Sequence, residues 1–348
     1  LIFDEPTAVL TPQEIDELME IMRGFKAEGK SILFITHKLN EIMAVADRCT
    51  VLQKGRGIGT VDIANTTKEE LSRMMVGRDV QCAVDKAPCK PGKTILEVDG
   101  LVVPSKAHKN NAVRSVSFKV NAGEIVCVAG IEGNGQSELV RVIVGLLKQN
   151  SGKILLNGED VSHASIRYRN VHGLAHVPED RHKYGLILDN TLEENLAMRK
   201  YFRKEFQNHG FIRFHKRREL AEELIEEFDI RSSEGAKSTA RSMSGGNQQK
   251  AIIAREIDSD ENVILAMQPT RGLDVGAIEN IHKNLLRQRD AGKAVLLVSF
   301  DLEEVMNISD RIIVFYEGEI VADVRPEEVT VNELGLYMSG SKRKGAVK

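Results

Sequence analysis

Residues 1–61 recur without a gap near the other end of the chain. Pro6-Thr7 falls on Pro269-Thr270, Gly29-Lys30 on Gly292-Lys293, Asp47-Arg48 on Asp310-Arg311 and Gly55 on Gly318, each 263 positions further on. An internal repeat constrains the fold before any single motif does, because both copies must adopt one architecture. The copies differ where chemistry would sit: Asp4 meets Met267, Glu5 meets Gln268 and His37 meets Phe300. A scaffold that is kept while two acids and a histidine are lost suggests that those three residues perform chemistry in the first copy only.

Within the repeat, Leu1-Ile2-Phe3 runs straight into Asp4-Glu5. Three apolar residues in a row predict a strand of a parallel sheet buried on both faces. Ligands of open α/β sheets sit beyond the carboxyl ends of the strands, so Asp4 and Glu5 would face a site. Alone, the pair reads equally as two solvated acids. Thr11-Pro12-Gln13-Glu14 is a helix start, with a capping box and proline in the first turn. Ile15, Leu18, Met19, Met22 and Phe25 then recur at helical spacing, and Glu28-Gly29 ends the helix. Ser31 to Ile35 predicts a second buried strand with Thr36-His37 at its tip. The result is a βαβ unit with Asp4, Glu5 and His37 on one sheet edge. A lone histidine at a strand end is usually structural, but its loss together with Glu5 in the second copy favours catalysis. A short helix, a strand pair around Lys54-Gly55 and a closing helix over 66–78 complete the first unit.

A chain of 348 residues predicts about two domains. The boundaries fall at 1–80, a Pro- and Lys-bearing linker at 81–92, a second domain at 93–340 and a basic tail at 341–348. The formal net charge of −3 gives no bulk attraction to nucleic acid. Cys49, Cys82, Cys89 and Cys127 show no metal-binding spacing and suit a reducing cytoplasm, with Cys49 and Cys127 as buried thiols. No apolar run approaches the ~18 residues that a membrane-spanning helix needs, and no signal peptide is evident. The missing initiator Met and a start inside a strand read as a fragment lacking its N-terminal part.

In the second unit, Ile95-Leu96-Glu97-Val98 and Val116 to Val120 alternate as antiparallel strands do. Ile125 to Ala129 is a buried strand, followed by Gly130-Ile131-Glu132-Gly133-Asn134-Gly135-Gln136-Ser137 and a helix carrying Leu139, Val140, Ile143, Leu146 and Leu147. Strand, Gly-rich loop and helix are the setting of a phosphate-binding loop, in which bare backbone N–H groups and a helix N-terminus receive phosphate oxygens. Gln136 stands where such loops carry Lys, and Ser137 is the expected Mg²⁺ ligand. Nucleotide binding without efficient hydrolysis follows; the bland alternative is a tight turn that binds nothing. Val177-Pro178-Glu179-Asp180-Arg181 ends another apolar stretch. Residues 190–230 read as helical, with Leu220, Leu224, Ile225 and Phe228 packed. The basic cluster from Arg199-Lys200 to Lys216-Arg217-Arg218 reads as a solvated face, since nearby glutamates balance it. Ser244-Gly245-Gly246-Asn247-Gln248-Gln249-Lys250 opens a further helix and offers N–H groups and a hydroxyl to an anion.

The order phosphate loop, Ser-Gly-Gly-Asn-Gln-Gln, Asp-Glu-Pro-Thr strand and Thr-His strand resembles the ATPase subunits of ABC transporters. The resemblance covers essentially the whole chain. It implies an α/β P-loop NTPase fold of the ABC ATPase type: a mainly parallel core sheet with an antiparallel β subdomain and a helical subdomain. Residues 1–80 are similar to the last third of a first ATPase domain and 93–340 to a complete second one. Fused halves, a weakened second site and Pro269-Thr270-Arg271-Gly272-Leu273-Asp274-Val275-Gly276 are similar to the simple-sugar importers, and Gln268 to Gly272 with Ser299-Phe300-Asp301 to their nucleoside-uptake branch.

The resemblance implies two composite sites for ATP and Mg²⁺, each shared head to tail by two domains. In the competent site Asp4 would hold Mg²⁺ through water, Glu5 would activate the attacking water and His37 would contact the γ-phosphate. Ser244, Gly245 and Gly246, with Asn247 and Gln248 behind them, would close that site from the second domain. The other site would use Gly130, Glu132, Gly133, Asn134, Gly135, Gln136, Ser137 and Glu138, with Met267, Gln268 and Phe300; Glu179 takes the place of the glutamine that links site and membrane partner. The implied setting is the cytoplasmic face of the cell membrane. The implied partners are two permease subunits, an extracytoplasmic substrate-binding lipoprotein and, as an option, a second fused subunit, with no nucleic acid. The implied function is uptake of nucleosides or simple sugars driven by ATP. The competing class is a soluble twin-ATPase of the translation-factor or DNA-repair type, which usually keeps both acid pairs and a long basic linker.

Overall fold

The computed structural model describes residues 1–7, 10, 12–36, 38–53, 55–77, 86–105, 110–259 and 261–344. The first unit contains β1 (Ile2–Asp4), α1 (Pro12–Ala27), β2 (Leu33–Ile35), α2 (Leu39–Val45), β3 (Arg48–Gln53), β4 (Arg56–Asp62) and α3 (Lys68–Val76). The second begins with β5 (Thr94–Pro104), β6 (Asn111–Asn121), β7 (Ile125–Ala129), α4 (Gln136–Ile143), β8 (Ser151–Leu156), β9 (Glu159–Asp160), α5 (Ile166–Val171) and β10 (Leu174–Val177). It continues through a π-helical turn (Arg181–Gly185), α6 (Leu192–Ala197), the hairpin β11 (Gln207–Asn208) and β12 (Phe211–Ile212), α7 (Phe214–Glu227) and α8 (Gly245–Ile257). It ends with β13 (Val263–Met267), α9 (Val275–Asp290), β14 (Ala294–Ser299), α10 (Leu302–Ile308), β15 (Arg311–Tyr316), β16 (Glu319–Val324) and α11 (Val331–Met338).

The core sheet has the order β10-β13-β14-β7-β15-β16, parallel except for β16. Every residue of β7, β13 and β14 is buried, because helices cover one face and the antiparallel sheet β6-β5-β8-β9, together with α4, covers the other. The carboxyl ends of β7, β13 and β14 therefore share one edge, where the phosphate loop, Gln268 and Phe300 emerge. The expected α/β architecture with an antiparallel β subdomain and a helical part is the one observed.

The repeat is preserved down to register. Ile2 pairs with Leu33 as Leu265 pairs with Leu296, and Cys49 with Val61 as Ile312 with Val324. The register of each β-hairpin slips at one place, between Val51 and Leu52 and between Val314 and Phe315. The two copies also touch. α3 packs on α9, and α1 on α11. Because α1 and α9 are equivalents, as are α3 and α11, these are two versions of one contact about a pseudo-two-fold axis. Asn40 hydrogen-bonds Glu303, its own equivalent.

Several expectations need correction. β1 and β2 pair in parallel as predicted but are not buried: Ile2 is 74% and Leu33 57% exposed. Their sheet has two strands, whereas β13 and β14 lie between β10 and β7, which bury them. The helix after the phosphate loop ends at Ile143 rather than Leu147, because the chain turns at Gly145 with φ +88. Residues 190–230 form two helices and a hairpin, not one helical run. Most of the basic cluster is paired inward rather than solvated: Arg199 holds the buried Glu256, Lys200 holds Asp258, and Arg217 and Arg218 hold Glu193, whereas Lys216 stays exposed beside Glu219. Cys127 is buried, but Cys49 is only half-buried. Of the predicted linker, 81–85 lies outside the described residues. The remainder is tied to the second unit, with Arg289 donating to the Ala87 carbonyl at 3.1 Å and the Gly92 N–H to the Ala122 carbonyl at 2.8 Å. Of the tail, 345–348 also lies outside the described residues.

Candidate functional site

The phosphate loop leaves the buried end of β7 and is held open by its glycines. Gly133 has φ +96, and a Cβ there would meet nothing within 4 Å, so the loop faces open space. Gly135 has φ +106, and a Cβ there would lie 2.0 Å from the Ala112 carbonyl oxygen. Asn134 anchors the loop from behind: its Oδ1 accepts from the Glu317 N–H and its carbonyl from the Gly318 N–H, each at 2.9 Å. Gln136 is buried, and its Nε2 donates to the Ile131 carbonyl at 3.2 Å. Its Oε1 is buried with no hydrogen-bond partner. Glu138 lies in the first turn of α4.

Across the loop, Ser137 Oγ donates to Glu179 Oε2 at 3.3 Å. A hydroxyl and a carboxylate are the hard oxygen donors that Mg²⁺ takes, so these residues fit the ion. Arg271 bridges the two acids of the site, lying 3.6 Å from both Glu132 and Glu179. Met267 is buried at the end of β13, and Gln268 Nε2 is a second buried polar atom without a partner. The orphaned Gln268 donor, at the position of the usual glutamate, fits a phosphate oxygen that would accept from it, whereas the orphaned Gln136 oxygen, at the position of the usual lysine, is an acceptor that phosphate cannot satisfy.

The two strand tips are alike in backbone. Glu5 has φ +42 and Gln268 φ +43, both in the left-handed region that non-glycine residues seldom adopt. The same backbone bond anchors each tip, from the Glu5 N–H to the Ile35 carbonyl at 2.9 Å and from the Gln268 N–H to the Val298 carbonyl at 2.7 Å. The repeat has kept a strained turn while exchanging the side chain it presents. Asp4 and Glu5 are exposed at the end of β1. His37 lies outside the described residues.

The Ser-Gly-Gly stretch caps α8. Ser244 is the N-cap residue, and its hydroxyl accepts from Asn247 Nδ2 at 2.9 Å rather than from the helix backbone. The N–H groups of Gly245 and Gly246 are thereby left to an external acceptor. Gln248 is buried beneath them, donating to the Ala240 carbonyl and bonded to His182 Nε2, both at 2.9 Å. Among the described residues, no hydrogen bond joins Ser244–Gln248 to Gly130–Glu138. The two anion-binding elements thus stand apart within the second unit.

Three features escaped the sequence reading. Glu304, on α10, is buried and accepts from Thr270 Oγ1 and from His282 Nε2, each at 2.9 Å, tying together the segments after β13 and β14 and helix α9. Its repeat equivalent Glu41 is also buried and accepts from Thr36 Oγ1 at 3.1 Å. The recurrence of Glu41 at Glu304 was the available signal. The other two are arginines: Arg271, described above, and Arg181, whose Nη1 donates to the Arg271 carbonyl at 3.1 Å. Burial lowers the Arg181 guanidinium from its ordinary pKa, an effect that Asp180 opposes.

Residues 113–271 match the family model described as ABC transporter. The chain is 51% identical over 340 residues to the nucleoside import ATP-binding protein NupA of Lactococcus lactis subsp. cremoris, covering 98% of this chain and 67% of that protein. It is 51% identical over 348 residues to the guanosine import ATP-binding protein NupO of Bacillus subtilis, covering 100% of this chain and 68% of that protein. The fold is similar to a solved ATP-binding subunit of an ABC transporter, with a TM-score of 0.58 at 24% identity over 71% of this chain and all of that one. Among the described residues, no helix is long and apolar enough to cross a membrane.

Proposed function

The chain belongs to the ABC transporter family of ATP-binding proteins, and from that premise we propose that it drives nucleoside import through one hydrolysing ATP site and one that binds ATP but turns it over slowly. The observation that carries the asymmetry is the pair of strand tips. Glu5 and Gln268 share backbone, register and anchoring bond, yet only one can take a proton. The two relatives at 51% identity are import subunits named for nucleosides and guanosine, which favours nucleoside cargo and leaves the translation-factor alternative without support.

In the competent site, Asp4, Glu5 and His37 would serve a phosphate loop other than Gly130–Ser137. The Glu5 carboxylate would orient the attacking water and accept its proton as the oxygen–γ-phosphorus bond forms and the bond from the γ-phosphorus to the β,γ-bridging oxygen breaks, giving phosphate and ADP. His37 would contact the γ-phosphate. Ser244, Gly245 and Gly246 close the site from the second domain, with the N-terminal N–H groups of α8 directed at phosphate oxygens. Mg²⁺, when bound, neutralises charge on the phosphates, held at this site through Asp4. In the second site Gly130 to Glu138 cradle the phosphates and Ser137 provides the oxygen for Mg²⁺, with Glu179 beside it. The Gln268 amide accepts no proton at neutral pH, and the Met267 thioether is too soft a ligand for Mg²⁺. Nucleotide is held there and turned over slowly. The membrane partners would be two permeases fed by an extracytoplasmic binding protein, with this subunit on the cytoplasmic side, and residues 1–80 and 93–340 acting as parts of two ATPase domains.

Vesicles carrying the complete transporter assembled around this chain should take up radiolabelled guanosine only when ATP is enclosed. Simple sugars should not compete. ATP-dependent ribose uptake without nucleoside uptake would overturn the cargo assignment.

A further inference from the structure

We propose that Arg181 is a positioning residue that holds the N-terminal end of α8, and with it Ser244-Gly245-Gly246, in register with the strand tip at Gln268. The proposal rests on the role given above to Ser244–Gly246.

The π-helical turn Arg181–Gly185 is set by Asp180, whose Oδ1 accepts from the His182 and Lys183 N–H groups at 3.0 Å. The turn covers a single stripe of α8. Arg181 lies on Gly245, where an added Cβ would sit 3.0 Å from Nη2 and 3.3 Å from Cζ. His182 Nε2 bonds Gln248 Oε1 at 2.9 Å. A Cβ on Gly185 would sit 2.5 Å from Ile252 Cδ1, and the Gly185 carbonyl accepts from Arg255 Nη1 at 2.8 Å. Residues 245, 248, 252 and 255 are spaced three, four and three apart, which places them on one helix face. The turn is thus a clamp along the signature helix, and Arg181 is its member nearest the phosphate-facing end.

The other side of Arg181 faces the second ATP site. Its Nη1 donates to the Arg271 carbonyl at 3.1 Å, and a Cβ on Gly272 would lie 3.9 Å from its Nη2. Arg271 in turn reaches Glu179, which accepts from Ser137 Oγ of the phosphate loop. One planar guanidinium therefore meets both the first residue of α8 and the segment that follows Gln268. The fixed fork of arginine suits this: one nitrogen is committed to a carbonyl while the flat face fills the space left by a bare glycine. Arg181 Nε is buried without a partner, so the side chain is placed for these two contacts and not for full pairing. An element shared in this way couples the segment beside one ATP site to the helix end that completes the other.

Arg181→Ala and Arg181→Lys in the complete transporter test this. For Arg181→Ala, kcat should fall at least tenfold, while binding of a fluorescent ATP analogue to the loop at Gly130–Ser137 stays within twofold. Amide exchange at Gln248 and Gln249, in the first turns of α8, should quicken at least tenfold with β13 (Val263–Met267) unchanged. Arg181→Lys keeps one donor for the Arg271 carbonyl and should recover part of both. Unchanged exchange at Gln248 and Gln249, or equal quickening in β13, overturns the proposal, since the first removes the positioning and the second reduces it to general stability. Quickened exchange with wild-type turnover supports the positioning and instead sinks the assignment of Ser244–Gly246 to the hydrolysing site.

Discussion

Glu5→Gln in a transporter assembled around this chain should lower steady-state ATP hydrolysis by about a hundredfold or more, the scale expected when a positioned general base is lost. Gln268→Glu should leave hydrolysis within about twofold, because a carboxylate at that tip still lacks an acid at Met267, a histidine at Phe300 and a lysine at Gln136. The comparison is controlled by the protein itself. Both tips have nearly the same φ, +42 and +43, and both donate an N–H bond to the neighbouring parallel strand. Glu5→Gln therefore places the amide of the second copy on the backbone of the first, with little change in shape. Phosphate-release assays on the two variants read the difference directly. Equal losses from Glu5→Gln and from removal of the second-site residues would contradict the asymmetry.

Gly135→Ala should abolish ATP binding at the second site and destabilise the protein by about 2–5 kcal/mol, the sum of a left-handed backbone and an overpacked contact. The added methyl would lie 2.0 Å from the Ala112 carbonyl oxygen, within strand β6, where neither partner is the end of a flexible side chain. Gly133→Ala is the control. Its methyl would meet no atom within 4 Å, so it carries only the backbone cost of about 1–2 kcal/mol. It would nonetheless fill the space the phosphates need. Thermal melts should separate the two variants clearly, while nucleotide titration should show both to be impaired. A Gly135→Ala protein that melts like Gly133→Ala would place the loop elsewhere.

Much of this was legible in the chain because the informative residues are local. The repeat, the Gly-rich loop after a five-residue apolar strand and the Ser-Gly-Gly before a helix are contiguous patterns, and each stands on the element the pattern predicts. Apart from the early end of α4 at Gly145, the errors share a cause. Burial of Leu33 or Ile2 depends on which strands flank them, and no pattern inside the strand reports its neighbours. The inward pairing of Arg199, Lys200, Arg217 and Arg218 is not legible locally because Glu256, Asp258 and Glu193, which hold them, come from other elements. Arg181 was missed for the same reason: its partners Gly245 and Arg271 are distant in sequence, and only the fold brings a π-turn onto the signature helix. Glu41 and Glu304 were within reach, since the repeat carries both, but a buried acid inside a helix looks like any surface glutamate until its partners are seen.

The central claim is that two sites of one architecture differ in chemistry. It is tested most directly by identifying the nucleotide left in each site after turnover. The complete transporter is loaded with radiolabelled ATP, allowed a single round and quenched, and the bound nucleotides are separated. The account predicts equal amounts of ADP and intact ATP, with the ATP lost when Gly135→Ala removes the second site. Bound nucleotide consisting of ADP alone would contradict it.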